Sequence, residues 1–438
     1  MDNTSQQVKG LPPAGPPRSR RHHSIGFWIA AAAFLLNMGF SAVPTPLYVL
    51  YQQRDGISNF MVTIVYAVYA VGVIASLFLG GHLSDWIGRR RVFVPALLVN
   101  ALSAIVFVVD PSLAGLILAR IVSGVSVGLT TATATSYLAE LHASARPTAS
   151  RRRSEVVATA ANLGGIGFGP LAAGLLAQFA AAPLRLPYVA FGIALIVLAA
   201  GVAVSPETAS RVEPRPRYRP QRIAVPDGAR SIFYAATLAG MAAFAVFGVF
   251  NSLVPSFLAG TLHEQSHAIA GAVPFAAFAG GAVAQIISAR TPTVTLLRRS
   301  VPIIALGMAL TAGAMWSASL TMFVIGGVIT GAGGGMVFKG SLAVAASTAP
   351  PQSRAEVLAG FFLGAYVGLS VPIIGLGIAT MYVSARDAMV VFAAVAAAAI
   401  AGSVRAVTQR STGAQARPGS ERPDGTVPGA PIPVEAPR

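Results

Sequence analysis

The sequence predicts an all-α membrane protein, with twelve transmembrane helices in two six-helix bundles. Three observations carry that expectation. Of the 438 residues, 54% are hydrophobic and only 11% charged, with a mean hydropathy of +0.67; a soluble domain carries about 25% charged residues. Apolar runs recur along the chain at about the 20 residues a helix needs to cross a hydrocarbon core. The basic residues alternate with those runs, crowding every second loop.

The runs cover 25–50, 60–80, 92–109, 113–138, 156–177, 187–204, 232–257, 269–288, 301–315, 320–346, 357–381 and 388–404. Each must satisfy its own backbone in lipid, which makes helices the expected form. A closed barrel would show short alternating strands instead. The ninth run is short and the tenth long, so the boundary between them is open. The first is as long as a full span and lacks a small-residue cleavage site, so it is expected to stay in the mature protein.

Of the 31 lysines and arginines, 26 fall on the tails and the even-numbered loops. Only Arg54, Arg185 and Arg386 lie on the opposite loops, while Arg120 and Lys339 sit inside runs. One missed helix would invert every later loop, so this asymmetry supports the count of twelve. Lys and Arg collect on the cytoplasmic side of short loops, so both termini are expected there. Residues 1–24 and 406–438 and the linker 205–231 are rich in Pro, Gly, Ser and Arg and are expected to be disordered. They leave one six-helix bundle at 25–204 and a second at 232–405. The halves share residues at offsets of 200 to 202: Gly80-Gly81 with Gly280-Gly281, Asp85 with Gln285, Arg90 with Arg290, Glu155 with Glu356, and Pro170 with Pro372.

Composition also excludes chemistry. The chain has no cysteine, so neither a disulfide framework nor a thiolate metal site can form. No Gly-rich loop ending in Gly-Lys-Ser/Thr is present to cradle a nucleotide phosphate. His22 and His23 lie in a tail, and His263 and His267 flank an outer loop, so no metal site is expected. No cofactor and no enzymatic activity are expected. The net charge of +16 reads as membrane topology rather than nucleic-acid binding, because it is confined to loops and tails. The missing cysteine and the Ala/Gly/Arg-rich usage fit a bacterial inner membrane.

The loop after the second run reads Gly81-His82-Leu83-Ser84-Asp85-Trp86-Ile87-Gly88-Arg89-Arg90-Arg91. One carboxylate and three arginines cannot lie in hydrocarbon, so this is a tight turn at a membrane surface. Its spacing, G-x-x-x-D-x-x-G-R-R, resembles the signature loop of the major facilitator superfamily of secondary transporters, and the resemblance extends over about residues 25–405. The resemblance implies two pseudo-symmetric bundles rocking around a central site, a small-molecule substrate, protons as coupling ion, and a monomer in the lipid bilayer. It implies that Gly81, Asp85, Gly88, Arg89 and Arg90 form a conformational latch of the outward-facing state, with Glu140 as the acid the family sets near this arginine. Trp86 departs from the pattern, which places a base there.

Arg120, in Arg120-Ile-Val-Ser-Gly124, resembles the fourth-helix R-x-x-x-G motif tied to proton coupling. A central arginine costs about 2.5–3.5 kcal/mol on insertion scales, so it either faces a cavity or snorkels to the outer surface. Gly165, Gly169, Pro170 and Gly174 resemble the antiporter motif of the fifth helix, with Ala173 replacing one glycine. That motif marks the efflux branch. Lys339 is either a cavity group or a snorkelling one. No carboxylate lies at mid-depth in any run, which favours neutral or anionic substrates over cations. Asn37, Asn100, Asn162, Asn251 and Gln285 are cavity candidates or helix–helix hydrogen-bonding groups. Pro44 and Pro46 are placed to shape an outer gate, and the aromatic residues are expected mostly against lipid or in packing. The resulting expectation is proton-coupled efflux of a small organic molecule. The alternatives are a symporter importing an organic anion or sugar, and, in another class, a non-transporting membrane receptor or scaffold.

Overall fold

Serines start most of the helices that enter from the face poor in arginine. Ser58, Ser112, Ser266 and Ser319 each accept a hydrogen bond from the main-chain N–H three residues on, at 3.2 to 3.3 Å. Ser384 does the same for Asp387, at 3.2 Å. Such a cap satisfies a donor that the first helical turn leaves unpaired.

The computed structural model describes residues 17–209, 219–221, 225, 227–349 and 354–415. These residues are helical with no strand among them, and twelve helices are long and apolar enough to cross a membrane. The first half contains α1 (Pro17–Ala42), α2 (Tyr48–Asp55), α3 (Asn59–Gly80), α4 (Leu83–Ile87), α5 (Arg89–Val109), α6 (Leu113–Ala145), α7 (Arg152–Phe179) and α8 (Leu186–Val204). The second contains α9 (Arg230–Ser252), α10 (Val254–Thr261), α11 (His267–Ile287), α12 (Thr293–Trp316), α13 (Leu320–Ser347), α14 (Arg354–Ala379) and α15 (Ala385–Gln415).

In the first half α1 packs on α6, α7 and α8, while α6 also holds α3 and α5. In the second, α13 packs on α9, α11 and α12, and α9 also holds α14 and α15. The halves meet along α7 against α11 and α3 against α14. Close crossings need small residues, because lipid gives helices no hydrophobic reason to associate. Gly169 and Gly39 show this where α7 crosses α1: a Cβ on Gly169 would run into the Gly39 carbonyl.

Several boundaries differ from the sequence expectation, at the helix ends for one physical reason and within two runs because of proline. Helices continue past the hydrocarbon when long basic side chains can reach water from their ends. Thus α1 begins at Pro17, inside the segment expected to be disordered, and α15 runs to Gln415 beyond the expected end at 404. The ninth span starts at Thr293, so Arg298 and Arg299 are exposed helical residues of α12 rather than a loop. The first run breaks at Pro44 and Pro46 into a short 3-10 turn and then α2. The seventh breaks before Pro255, where α10 begins. The remaining tail and linker positions, 1–16, 210–218, 222–224, 226 and 416–438, lie outside the described residues.

The internal repeat is corrected in register. Pro170 and Pro372 occupy equivalent places in α7 and α14. However, α11 ends 207 positions after α3 does, not 200. Gly280, Gly281 and Gln285 therefore lie inside α11, while Gly81 and Asp85 lie beyond the end of α3. The capping serines keep the structural register, with Ser58 answering to Ser266 and Ser112 to Ser319.

Candidate functional site

A cavity of about 890 Å³ lies between the two halves. Its lining runs from mid-span residues such as Arg120, Tyr66 and Asn251 to the loops of the arginine-rich face, where Asp85, Glu155 and Arg354 border it. It therefore opens at that face. Toward the other face, hydrogen bonds join the halves: Thr45 Oγ1 to the Asn251 carbonyl at 2.9 Å, Ser256 Oγ to Gln52 Oε1 at 3.0 Å, and the His267 N–H to Gln178 Oε1 at 2.9 Å. The 3-10 turn that follows Pro44 positions Thr45 for the first of these. Leu47, Leu253, Val254 and Leu258 are fully buried around the same place.

The mouth of the cavity is built on the loop from Gly81 to Arg91. Gly88 has φ +114°, which an L side chain rarely adopts. A Cβ there would also lie 2.6 Å from a Glu207 carboxylate oxygen. The space is needed because Glu207 caps α5, accepting the N–H of Arg89 at 2.8 Å and of Arg90 at 3.2 Å. A carboxylate at a helix N-terminus meets both the unpaired donors and the positive end of the dipole. The Arg89 guanidinium bonds Asp85, Ser84 Oγ at 2.8 Å and Glu140 at 2.9 Å. Thr208 Oγ1 closes the cluster by donating to Glu140 at 2.5 Å.

All of these partners belong to the first half or to the linker that leaves it. The Asp85 side chain is 56% exposed, at the border of the cavity. Among the described residues no acid side chain pairs with the Arg90 guanidinium, which donates to the carbonyls of Ala203 at 3.0 Å and Ser205 at 3.1 Å. Gly81 lines the mouth where Gln221 passes, held by a bond from its N–H to the Phe78 carbonyl at 3.0 Å. Glu207 and Thr208 were not singled out in the sequence; a Pro-Glu-Thr run at the end of the sixth span was their only signal.

The closed end is different in kind. Arg120 is 2% exposed and does not snorkel. One Nη donates to the Ser41 carbonyl and the other to the Tyr66 carbonyl at 3.4 Å, while Nε has no partner. The rings of Tyr69 and Tyr66 stand 4.5 and 5.4 Å from the guanidinium carbon. Among the described residues no carboxylate pairs with it. Tyr66 also approaches the side chain of Asn251, whose Oδ1 is buried without a partner.

Lys339 lies nearer the mouth and lines the cavity, donating to the Gln285 carbonyl at 2.7 Å, with Glu155 close enough to interact with its charge. Asn162, Asn251 and Gln285 line the cavity as well. Asn37 does not. It is fully buried among α1, α5 and α6, donating to Thr130 and accepting from Asn100 and Ser126. Gly165 and Gly169 face α1 and Gly174 faces α11, so these positions of the fifth helix serve helix crossings, with Pro170 inside α7. Most aromatic residues pack in the core or stand on the outer surface, as expected, but one group does neither. Phe244, Phe247, Phe278, Phe338, Phe362 and Tyr366 form a wall of the cavity, with Phe247 and Phe278 stacked at 4.7 Å.

A family model described as the Major Facilitator Superfamily matches residues 27–297. An arabinose-proton symporter from Bacillus subtilis (strain 168) is 32% identical over 145 residues, which is 32% of this chain and 30% of that protein. The chain thus matches under a third of the length of that curated relative. Among solved structures, a bacterial homologue of the human lysosomal transporter Spinster, inward-facing and unoccupied, aligns with a TM-score of 0.64 at 14% identity, covering 91% of this chain and 99% of that one. The nucleoside transporter NupG aligns at 0.68 with 11% identity over 87% and 99% of the two chains. The human organic anion transporter MFSD10 aligns at 0.63 with 16% identity over 90% and 100%. At these identities the likeness concerns the fold.

Proposed function

This chain belongs to the Major Facilitator Superfamily, and on that premise we propose that it is a secondary transporter carrying a small organic molecule across a bacterial inner membrane by alternating access. The observation that carries the reading is the cavity of about 890 Å³, open at the arginine-rich face and closed by Thr45, Gln52 and their partners at the other. With that face cytoplasmic, as the positive-inside rule requires, the structure is the inward-open state and both termini are cytoplasmic. The substrate enters the cavity, the mouth closes, and the contacts at the far end part. The two bundles, 25–204 and 232–405, move as bodies, and the chain acts as a monomer.

The latch reading gives Asp85, Arg89 and Glu140 their place. In the open state their bonds stay within the first half. Asp85 and Arg354 border the mouth from opposite halves, so closing it brings opposite charges together and favours the outward-facing state. Protons are the coupling ion. Glu155, beside Lys339 in the cavity, is the carboxylate within reach of both substrate and water.

The motif on α7 favours export. The match to an arabinose-proton symporter favours the second reading, import by symport. Accumulation of a labelled substrate in whole cells with and without an uncoupler separates them: an uncoupler raises retention of an exported molecule and lowers that of an imported one. Counterflow in proteoliposomes tests the transport reading itself; its absence for every substrate that binds would support a receptor or scaffold.

A further inference from the structure

The cavity is chemically lopsided. Its closed end holds a guanidinium with an unpartnered Nε and no carboxylate within 4 Å among the described residues. Beside it, the Asn251 Oδ1 is buried and unpartnered, on a residue that lines the same space. A charge at this depth is costly without a counter-ion. Two main-chain carbonyls and two tyrosine rings offset only part of that cost, since neither carries a full negative charge. Across the cavity the second half supplies an apolar wall, in which Phe244 stands 5.0 Å from Phe338 and 5.5 Å from Tyr366. Lys339, at a shallower level, adds a second positive charge.

We propose that the substrate is an organic carboxylate with an apolar ring or chain, its anionic end directed at Arg120 between Tyr66 and Tyr69 and its apolar end against the Phe244–Phe247–Phe278 wall. The inference rests on the transport reading for its purpose but not for its test. The Arg120 guanidinium supplies directional donors that match a carboxylate. The Arg120 cation repels an ammonium group at this end, and the neutral Asn251 Oδ1 carries no charge to offset that repulsion. In the symport direction, a monoanion carried together with one proton moves no net charge.

The test uses the purified full-length chain and three matched probes: 4-phenylbutyrate, its amide and 4-phenylbutylamine. The carboxylate is expected to raise the melting temperature and to bind about 10–100-fold more tightly than the amide, the ratio of a charge-assisted bond to a neutral one. Arg120→Gln removes that preference while binding of the amide persists; Arg120→Lys retains part of it. Phe247→Ala weakens carboxylate and amide alike. Equal binding of the amide, tighter binding of the amine, no binding of any probe, or an undiminished carboxylate preference in Arg120→Gln would each overturn the proposal. Counterflow distinguishes the two readings. Carboxylate binding without counterflow sinks transport and keeps the anion site; counterflow of the amine alone does the reverse.

Discussion

The mouth of the cavity and its closed end both hold a central arginine, and they treat it in opposite ways. Arg89 meets two carboxylates and a hydroxyl, and the acid beside it is itself held by Thr208. Arg120 meets carbonyls and rings only. A cation whose charge is matched inside the protein fixes the shape of a loop. A cation left unmatched in a buried place raises the energy of the empty state and, on the proposed reading, is answered by a ligand. On that reading, the two ends divide the labour of a transporter between holding a conformation and holding a cargo.

The largest expected effect breaks this contrast directly. Replacing each arginine by methionine should move stability in opposite directions. Arg120→Met should stabilise the empty protein by about 1–3 kcal/mol, because an uncompensated buried charge is removed; Arg89→Met should destabilise it by a similar amount by stranding Glu140. Thermal melts of the purified, ligand-free proteins decide it, and shifts of the same sign would refute the comparison. Gly88→Ala should cost about 1–3 kcal/mol through its positive φ and, in addition, push Glu207 from its cap; the melting temperature reads the loss, and an unchanged value would contradict the geometry of the turn.

Asp85→Asn sharpens the functional half of the contrast. Counterflow should fall about tenfold, the scale of one charge-assisted bond, while the thermal shift given by the substrate stays as in the parent. A parallel loss of both would place Asp85 in the binding site instead of the latch. Glu207→Gln should lower stability by about 1 kcal/mol, as for other helix caps, and leave substrate affinity unchanged. Asn37→Ala is the smallest: the bonds it loses lie between helices, each worth about 0.6 kcal/mol in membrane proteins, and transport should persist at near-parent levels.

Much of the frame was legible because lipid imposes one rule on every span. Backbone groups must pair locally, so twelve apolar runs meant twelve helices, and the arginines marked one common face. The loop from Gly81 to Arg91 was legible for the same reason: its glycines and charges can occur together only at a tight surface turn. Boundaries were less so, because Arg298 and Arg299 read as loop residues by charge alone, yet their side chains reach water from a helix. The repeat misled where identity was counted through Ala/Gly-rich helices, while the capping serines held the true register.

The sequence by itself determined the number of spans, the face that carries the basic charge, the surface turn that holds Asp85 and Arg89, and the presence of Arg120 inside a span, since each follows from the cost of polar groups in hydrocarbon. Tertiary structure alone decided which side of each helix meets the cavity. Asn37 and Asn251 look alike in sequence, but one closes a network between helices and the other borders open space. Tyr66, Tyr69 and the phenylalanine wall were equally ambiguous. In a soluble helix, polarity marks the exposed face; in a membrane, lipid and protein interior are both apolar, so only packing assigns the face.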